Sequence, residues 1–204
     1  MSGKTTFLRT LGVNAVLAQT IHTCVADVYD APPFVVRTCI GRSDDPGSGK
    51  SYYTAEVDLV LGLVQAARSA VPHLILFDEL IRGTNTVERL AAGEAVLHAL
   101  LMPLADGSRA PHIVVAASHD LELVDLLKEA YRAAHFSDAL DQQGLSFDYR
   151  LRDGVSRTRN AIAMLGARGA SHDLVARAAA RAKALDAVYV ALVDPVWMAD
   201  TPSS

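Results

Sequence analysis

The stretch Leu74-Ile75-Leu76-Phe77-Asp78-Glu79 limits what this chain can fold into more than any other. Four successive large apolar residues without polar alternation suit a strand covered on both faces, because a strand with one wet face would alternate. Such a strand belongs inside a parallel sheet with helices on each side. The two carboxylates that close it then stand at the strand's C-terminal end, where ligands gather in open parallel sheets. Asp78 is suited to hold a magnesium ion, and Glu79 to orient or deprotonate a water that attacks a phosphate.

The surrounding pattern repeats strand, helix, strand. Phe7, Leu8, Leu11, Val16 and Leu17 recur at three- and four-residue spacing, which predicts a helix from Thr5 to about Thr20. Phe34 to Cys39 reads as a strand entered from Pro32-Pro33, and Gly41 to Gly49 as a loop. Helices are expected from Ser51 to about Ala70 and from about Val87 to Leu101, with a strand from His112 to Ala117 that closes on Ser118-His119. Leu145 to Leu151 alternates as an edge or antiparallel strand would. Thr158 to about Val190 predicts two helices broken near Gly169, and the tail from Pro195 carries no pattern. The fold class is α/β, with a mainly parallel sheet flanked by helices. At 204 residues and 50% hydrophobic the chain suffices for one domain, expected over 1–190 with a C-terminal tail over 191–204.

Ser2-Gly3-Lys4-Thr5-Thr6, set at the start of the first helix, matches the back half of the phosphate-binding loop G-x-x-x-x-G-K-[ST]. In that loop free amides at a helix N-terminus cradle phosphates, the lysine reaches the terminal ones and the hydroxyl holds magnesium. Lys4 and Thr5 are the working residues on this reading. The first glycine of the motif would stand five residues before Gly3, with the strand that delivers it, so the first strand of such a fold is missing from this sequence. A short Gly-Lys-Thr cluster at an exposed helix start is the plainer alternative.

Composition narrows the function classes. Against 23 Asp and Glu the chain has 19 Lys and Arg, a net charge of −4, which argues against a surface built mainly to hold a nucleic-acid backbone. Cys24 and Cys39 have no metal or disulfide spacing and are expected reduced and buried. The polar first residues lack a secretion signal, and every apolar run falls short of the roughly 20 residues of a membrane span, so a cytoplasmic protein without membrane contact is expected. His22, His73, His98, His112, His135 and His172 show no i,i+4 pairing with a carboxylate that would mark a metal site, and read as ordinary surface or core residues. Arg177, Arg181 and Lys183 form a basic stripe that could touch DNA or a partner, the plainer account being a solvated helix face. Trp197 is either a partner anchor or part of a loosely packed terminus.

Asp44-Asp45-Pro46-Gly47-Ser48-Gly49-Lys50-Ser51, followed by Glu56, has the spacing D-D-x-x-S-G-x-S-x-x-x-x-E, and it resembles the signature loop of the MutS mismatch-repair ATPases. The resemblance continues in Asp78-Glu79-Leu80-Ile81-Arg82-Gly83-Thr84-Asn85-Thr86, similar to D-E-x-x-R-G-T-x-T, and in Ala117-Ser118-His119, where that family usually has A-T-H. Tyr149 to Gly154 and the helix at Asn160-Ala161 are similar to the segment after its nucleotide core, and the likeness covers about residues 1 to 190. Two departures are Ser118 in place of threonine, and Glu88-Arg89 where the family commonly has an acidic residue followed by glycine.

The resemblance implies a P-loop NTPase fold of the ABC/MutS type and an ATP- and Mg²⁺-dependent ATPase. Ser2, Gly3, Lys4, Thr5 and Thr6 would bind nucleotide, Thr5 and Asp78 the metal, Glu79 would prepare water and His119 would sense the terminal phosphate. Ser48, Gly49 and Ser51 would complete the site of a second subunit, making a homodimer part of catalysis. DNA would be bound by mismatch-reading, lever and clamp regions mostly absent from this sequence, and downstream repair proteins are possible partners. Two other readings stand beside it: a nucleotide-gated dimerisation module with impaired catalysis, and a related ATPase acting outside mismatch repair. An ABC- or SMC-like protein would carry an L-S-G-G-Q loop, which is not found.

Overall fold

The computed structural model describes residues 3–41, 52–81, 83–141, 144–156 and 161–197. The chain divides into two compact units, one of Met1–His135 with Leu151–Val155, the other of Phe136–Arg150 with Ser156–Ser204.

In the first unit, α1 (Lys4–Ile21), β1 (Val35–Cys39), α2 (Tyr52–Ala66), β2 (His73–Asp78), α3 (Thr86–Ala99), β3 (Ile113–Ala117) and α4 (Leu121–Leu126) follow one another. The strands form a parallel sheet in the order β1-β2-β3, with Val35 opposite His73 and Leu74 opposite Ile113 at the start of the two registers. β2 is the central strand, and its first five residues are all buried.

Its alternate residues serve two cores. Leu74 and Leu76 pack with Leu8 and Ala15 of α1 and with Phe34, whereas Ile75 and Phe77 pack with Val60 and Leu63 of α2, Leu97 of α3 and Leu123 of α4. The sheet therefore has α1 on one face and α2, α3 and α4 on the other, as the unbroken apolar run requires. Side-chain amides guide the chain between layers. Gln19 of α1 exchanges two 3.0 Å hydrogen bonds with the backbone of Phe34, so the helix supplies what a neighbouring strand would at the entry to β1. Asn85 caps α3 by accepting from the Glu88 amide at 3.0 Å, and the Thr84 hydroxyl donates to the Glu88 carboxylate, a reciprocal start signal that sets the first turn of the helix.

The turn after β2 departs from ordinary backbone. Glu79 and Ile81 both have positive φ, 62° and 55°, a region unfavourable for side chains with a Cβ and especially for a β-branched one. Each such residue costs on the order of 1–3 kcal/mol and persists only where the surroundings over-determine it. Two hydrogen bonds do so here. The Glu79 amide donates to Ala117 O at 2.9 Å, and the Ile81 amide donates to the buried carboxylate of Glu56, on α2, at 2.8 Å.

The second unit contains the helices α5 (Ala161–Ala167) and α6 (His172–Trp197). α5 ends in a Schellman arrangement, with Gly169 at φ 88°, its amide on Gly166 O and the Ala170 amide on Leu165 O. That is the break expected near Gly169. The strands β4 (Ala134–Asp141) and β5 (Gly144–Asp153) pair as a separate two-stranded sheet.

Several expectations are corrected. Neither α4 nor β4 was anticipated, because α4 is a six-residue helix and β4, AHFSDALD, mixes small, polar and apolar residues without clean alternation. α2 stops at Ala66 rather than Ala70, and α6 runs through Pro195 to Trp197, where no pattern was expected. Neither cysteine is in a disulfide, and Cys39 is buried, but Cys24 is only half-buried. Arg177 and Arg181 share one exposed side of α6, while Lys183, two residues on and so rotated by about 200°, leaves that side, and the three make no single stripe. Among the described residues no helix is long and apolar enough to cross a membrane.

Two stability outcomes follow. Leu76→Ala should lower the urea-unfolding free energy by about 2–5 kcal/mol, since a fully buried side chain leaves a cavity between sheet and α1, whereas Val87→Ala, at a position 77% exposed, should change it by less than about 0.5 kcal/mol. Glu56→Ala should cost about 1–3 kcal/mol by leaving the Ile81 amide buried without its acceptor, and Glu56→Gln, which keeps a carbonyl oxygen, should recover most of it in the same measurement.

Candidate functional site

The candidate residues converge where α1 begins and β2 and β3 end. α1 starts on Gly3, whose φ of 93° suits a residue without a Cβ, and the N-terminus has neither a side-chain cap nor an acidic residue in its first turn. Its positive end thus meets no covalently attached anion from its own first turn. The next two residues reach across the sheet. Lys4 Nζ donates to Ser118 O, just past β3, at 2.9 Å, and Thr5 Oγ1 donates to Asp78 Oδ2, the last residue of β2, at 2.7 Å. Thr6 is exposed, and its carbonyl accepts from the Thr10 hydroxyl.

Burial holds the Lys4 ammonium below the usual lysine range, because the charged form gives up water, and the negative charges of Glu79, Asp78 and Asp120 restore part of the loss. Lys4 thus stands near three carboxylates, one of which, Asp120, is paired with Arg89; an anion arriving here would be attracted by Lys4 and the positive end of α1, while the remaining carboxylates suit an accompanying cation.

Left-handed backbone at Glu79 turns its side chain away from the line of β2, and its Oε1 lies 3.2 Å from His119 Nε2. The imidazole is mostly exposed, at 72%, while Glu79 is about one-third exposed. The pair borders a recess of about 260 Å³ lined by Glu79, Leu80, Arg89, Ser118, His119, Asp120 and Leu123. Across this recess Arg89 of α3 forms a two-pronged ion pair with Asp120, its Nε and Nη2 donating at 3.0 and 2.8 Å. The aspartate raises the Arg89 guanidinium above its ordinary range through this hydrogen bonding.

Gly3, Lys4, Thr5, Asp78, Glu79 and His119 are therefore brought together. Ser2, Ser48, Gly49, Ser51 and Arg82 lie outside the described residues. Sequence reasoning passed over Asp120 and treated Arg89 only as a departure from a motif; nothing local in either signals a pairing 31 residues apart. One histidine expectation also changes. His98 does pair with a carboxylate four residues away, Glu94, at 3.3 Å, and His73 and His112 meet edge to face, with ring centres 5.1 Å apart. The His112 ring accepts from the His73 amide and its other nitrogen lies 2.7 Å from Ala67 O, a junction that ties together the N-terminal side of the sheet. No cluster of three or more His, Cys, Asp or Glu suited to a metal occurs among the described residues.

The family model described as MutS domain V matches residues 1–186. Proteins named DNA mismatch repair protein MutS are similar to the chain: that of Streptococcus mutans is 32% identical over 182 residues, 87% of this chain and 20% of the relative. That of Natronomonas pharaonis is 31% identical over 181 residues, with the same shares, and that of Thermus aquaticus 30% identical over 197 residues, 96% of this chain and 23% of the relative. The chain thus spans about one fifth of the length of these curated relatives. With a match that covers nearly its whole length, the chain belongs to the MutS domain V family.

Proposed function

We propose that this chain is the ATP-binding and ATP-hydrolysing domain of a MutS-like DNA mismatch repair protein, with a P-loop NTPase fold. The observation that carries the reading is the convergence of Lys4 and Thr5 from one end of the sequence with Asp78, Glu79 and His119 from two strand ends. The 2.7 Å bond between Thr5 and Asp78 is its tightest contact across the sheet. A lysine, a hydroxyl, two carboxylates and an imidazole gathered at neighbouring strand ends suit a single phosphate-bearing ligand.

In this reading the amides from Gly3 to Thr6 and the Lys4 ammonium hold the phosphates, with Ser2 beside them. Lys4, stripped of part of its water, gains more from a phosphate oxygen than from the Ser118 carbonyl it now meets. The hydroxyl of Thr5 and the carboxylate of Asp78 are hard oxygen donors sharing one hydrogen bond, the donor set magnesium takes when phosphates and water complete its shell. Magnesium, when bound, would neutralise charge developing on the transferred phosphoryl group. Glu79 accepts the proton of the attacking water or orients it, and His119, exposed at the edge of the site, donates toward the terminal phosphate. Ser48, Gly49 and Ser51 serve the nucleotide of a second subunit, and the dimer couples nucleotide state to DNA held by other regions of a longer protein.

Steady ATP turnover with Mg²⁺ tests the reading, on the 204-residue chain and on a form extended upstream to include the loop's first glycine. Glu79→Gln should reduce kcat by about 10²- to 10⁴-fold while a fluorescent ATP analogue still binds, and Lys4→Ala should abolish that binding. Absence of turnover in both forms would sink hydrolysis and favour a nucleotide-gated dimerisation module.

The composite site makes a separate prediction. In sedimentation experiments ATP and Mg²⁺ should drive the Glu79→Gln chain into dimers, and Ser51→Ala should weaken that association; a monomer under all conditions would remove the second subunit from the site.

A further inference from the structure

We propose that the Arg89–Asp120 ion pair is a positioning device for His119, holding the Ser118-His119-Asp120 turn so that the imidazole stays against Glu79. The inference rests on the hydrolytic reading above and adds to it two residues that touch none of the reacting atoms.

The geometry of Asp120 carries the argument. It occupies the N-cap of α4, where an aspartate ordinarily accepts from an amide of the first helical turn and stabilises the helix by about 1 kcal/mol. Here the side chain makes no cap bond. Both of its oxygens go instead to Arg89, on α3, in a fork only 27% and 21% exposed on its two sides, an arrangement more directional than a single charge contact. A helix cap has been given up for a tie between elements.

The same turn is held at two more points. The Asp120 amide donates to the Ser118 hydroxyl at 3.0 Å, and the Ser118 carbonyl accepts from Lys4 at 2.9 Å. His119 sits between these anchors, and its side chain is mostly in solvent, with its Nε2 3.2 Å from Glu79. The direction of its imidazole depends on the backbone on either side. Arg89 also lines the recess shared by Glu79 and His119, so the tie lies beside the groups it would orient.

The test needs a readout that general stability does not move. The imidazole carbon–proton NMR signal of His119, assigned by its loss in His119→Gln, reports the contact with Glu79. In the chain with Arg89 intact, Glu79→Gln should displace that signal. In the Arg89→Ala or Asp120→Asn background the same change should displace it little, while Arg89→Lys, which keeps one charged donor, should restore part of the response. In turnover, Arg89→Ala and Asp120→Asn should each lower kcat on the order of tenfold to a hundredfold with little change in KM for ATP, and the double variant should lose no more than the worse single one. An equal displacement of the His119 signal by Glu79→Gln with and without Arg89 would overturn the proposal. So would signals of all seven histidines collapsing together in Arg89→Ala and in Arg89→Lys, which would make the pair a support of the fold alone. If neither the unaltered chain nor its upstream-extended form shows turnover, the hydrolytic reading fails by itself, and the NMR comparison still decides whether the pair positions His119.

Discussion

β2 cannot meet water on either face, and the rest of the first unit is arranged around that fact. Leu74 and Leu76 require one helical layer, Ile75 and Phe77 another, and the parallel neighbours β1 and β3 satisfy its backbone. Each fully buried side chain of this strand contributes about 1.5–3 kcal/mol relative to exposure, enough to hold its register firmly. A strand so enclosed can carry polar chemistry only where it leaves the sheet. Asp78 and Glu79 stand at that point, and the end of β3 beside it brings Ser118 and His119 to the same edge.

The exit of β2 is strained, and the strain is what aims the carboxylates apart. Asp78 remains in the ladder and points to Thr5, while Glu79, with left-handed backbone, turns toward His119. Two unfavourable backbone conformations within three residues would cost several kcal/mol if left to themselves. The Ala117 carbonyl and the Glu56 carboxylate offset much of this by satisfying amides that would otherwise be buried without partners. Glu56 thereby connects α2, which follows the segment that resembles a signature loop, with the turn that carries Glu79.

Charge is distributed with comparable economy. Lys4 is partly dehydrated and lies near three carboxylates, while Arg89 at the recess is already committed to Asp120. In the proposed mechanism this leaves Lys4 and the amides of α1 to receive phosphate, and keeps Arg89 for holding the turn that carries His119. The two roles need different side chains: a compact ammonium suits contact with a phosphate, and a planar fork suits a fixed pairing with a carboxylate.

Much of the architecture was legible in the residue order because it rests on local periodicity. The apolar run of β2, the helical spacing after Gly3, the strand ending at Ala117 and the break at Gly169 are each carried within a few residues, and the chain's membership of the MutS domain V family was visible in the motifs around Asp78 and His119. β4 and α4 were not legible, since a strand with mixed composition and a six-residue helix are decided by what they pack against. Nor were the partners of Arg89, Glu56 and His73. Sequence alone determined which apolar stretches enter the core and which polar side chains stand at the ends of the strands, because periodicity and side-chain type are properties of short stretches. Only the tertiary structure decided that Lys4 meets Ser118, Glu56 meets Ile81 and Arg89 meets Asp120, because those bonds join positions 25 to 114 residues apart that become neighbours only once the sheet has formed.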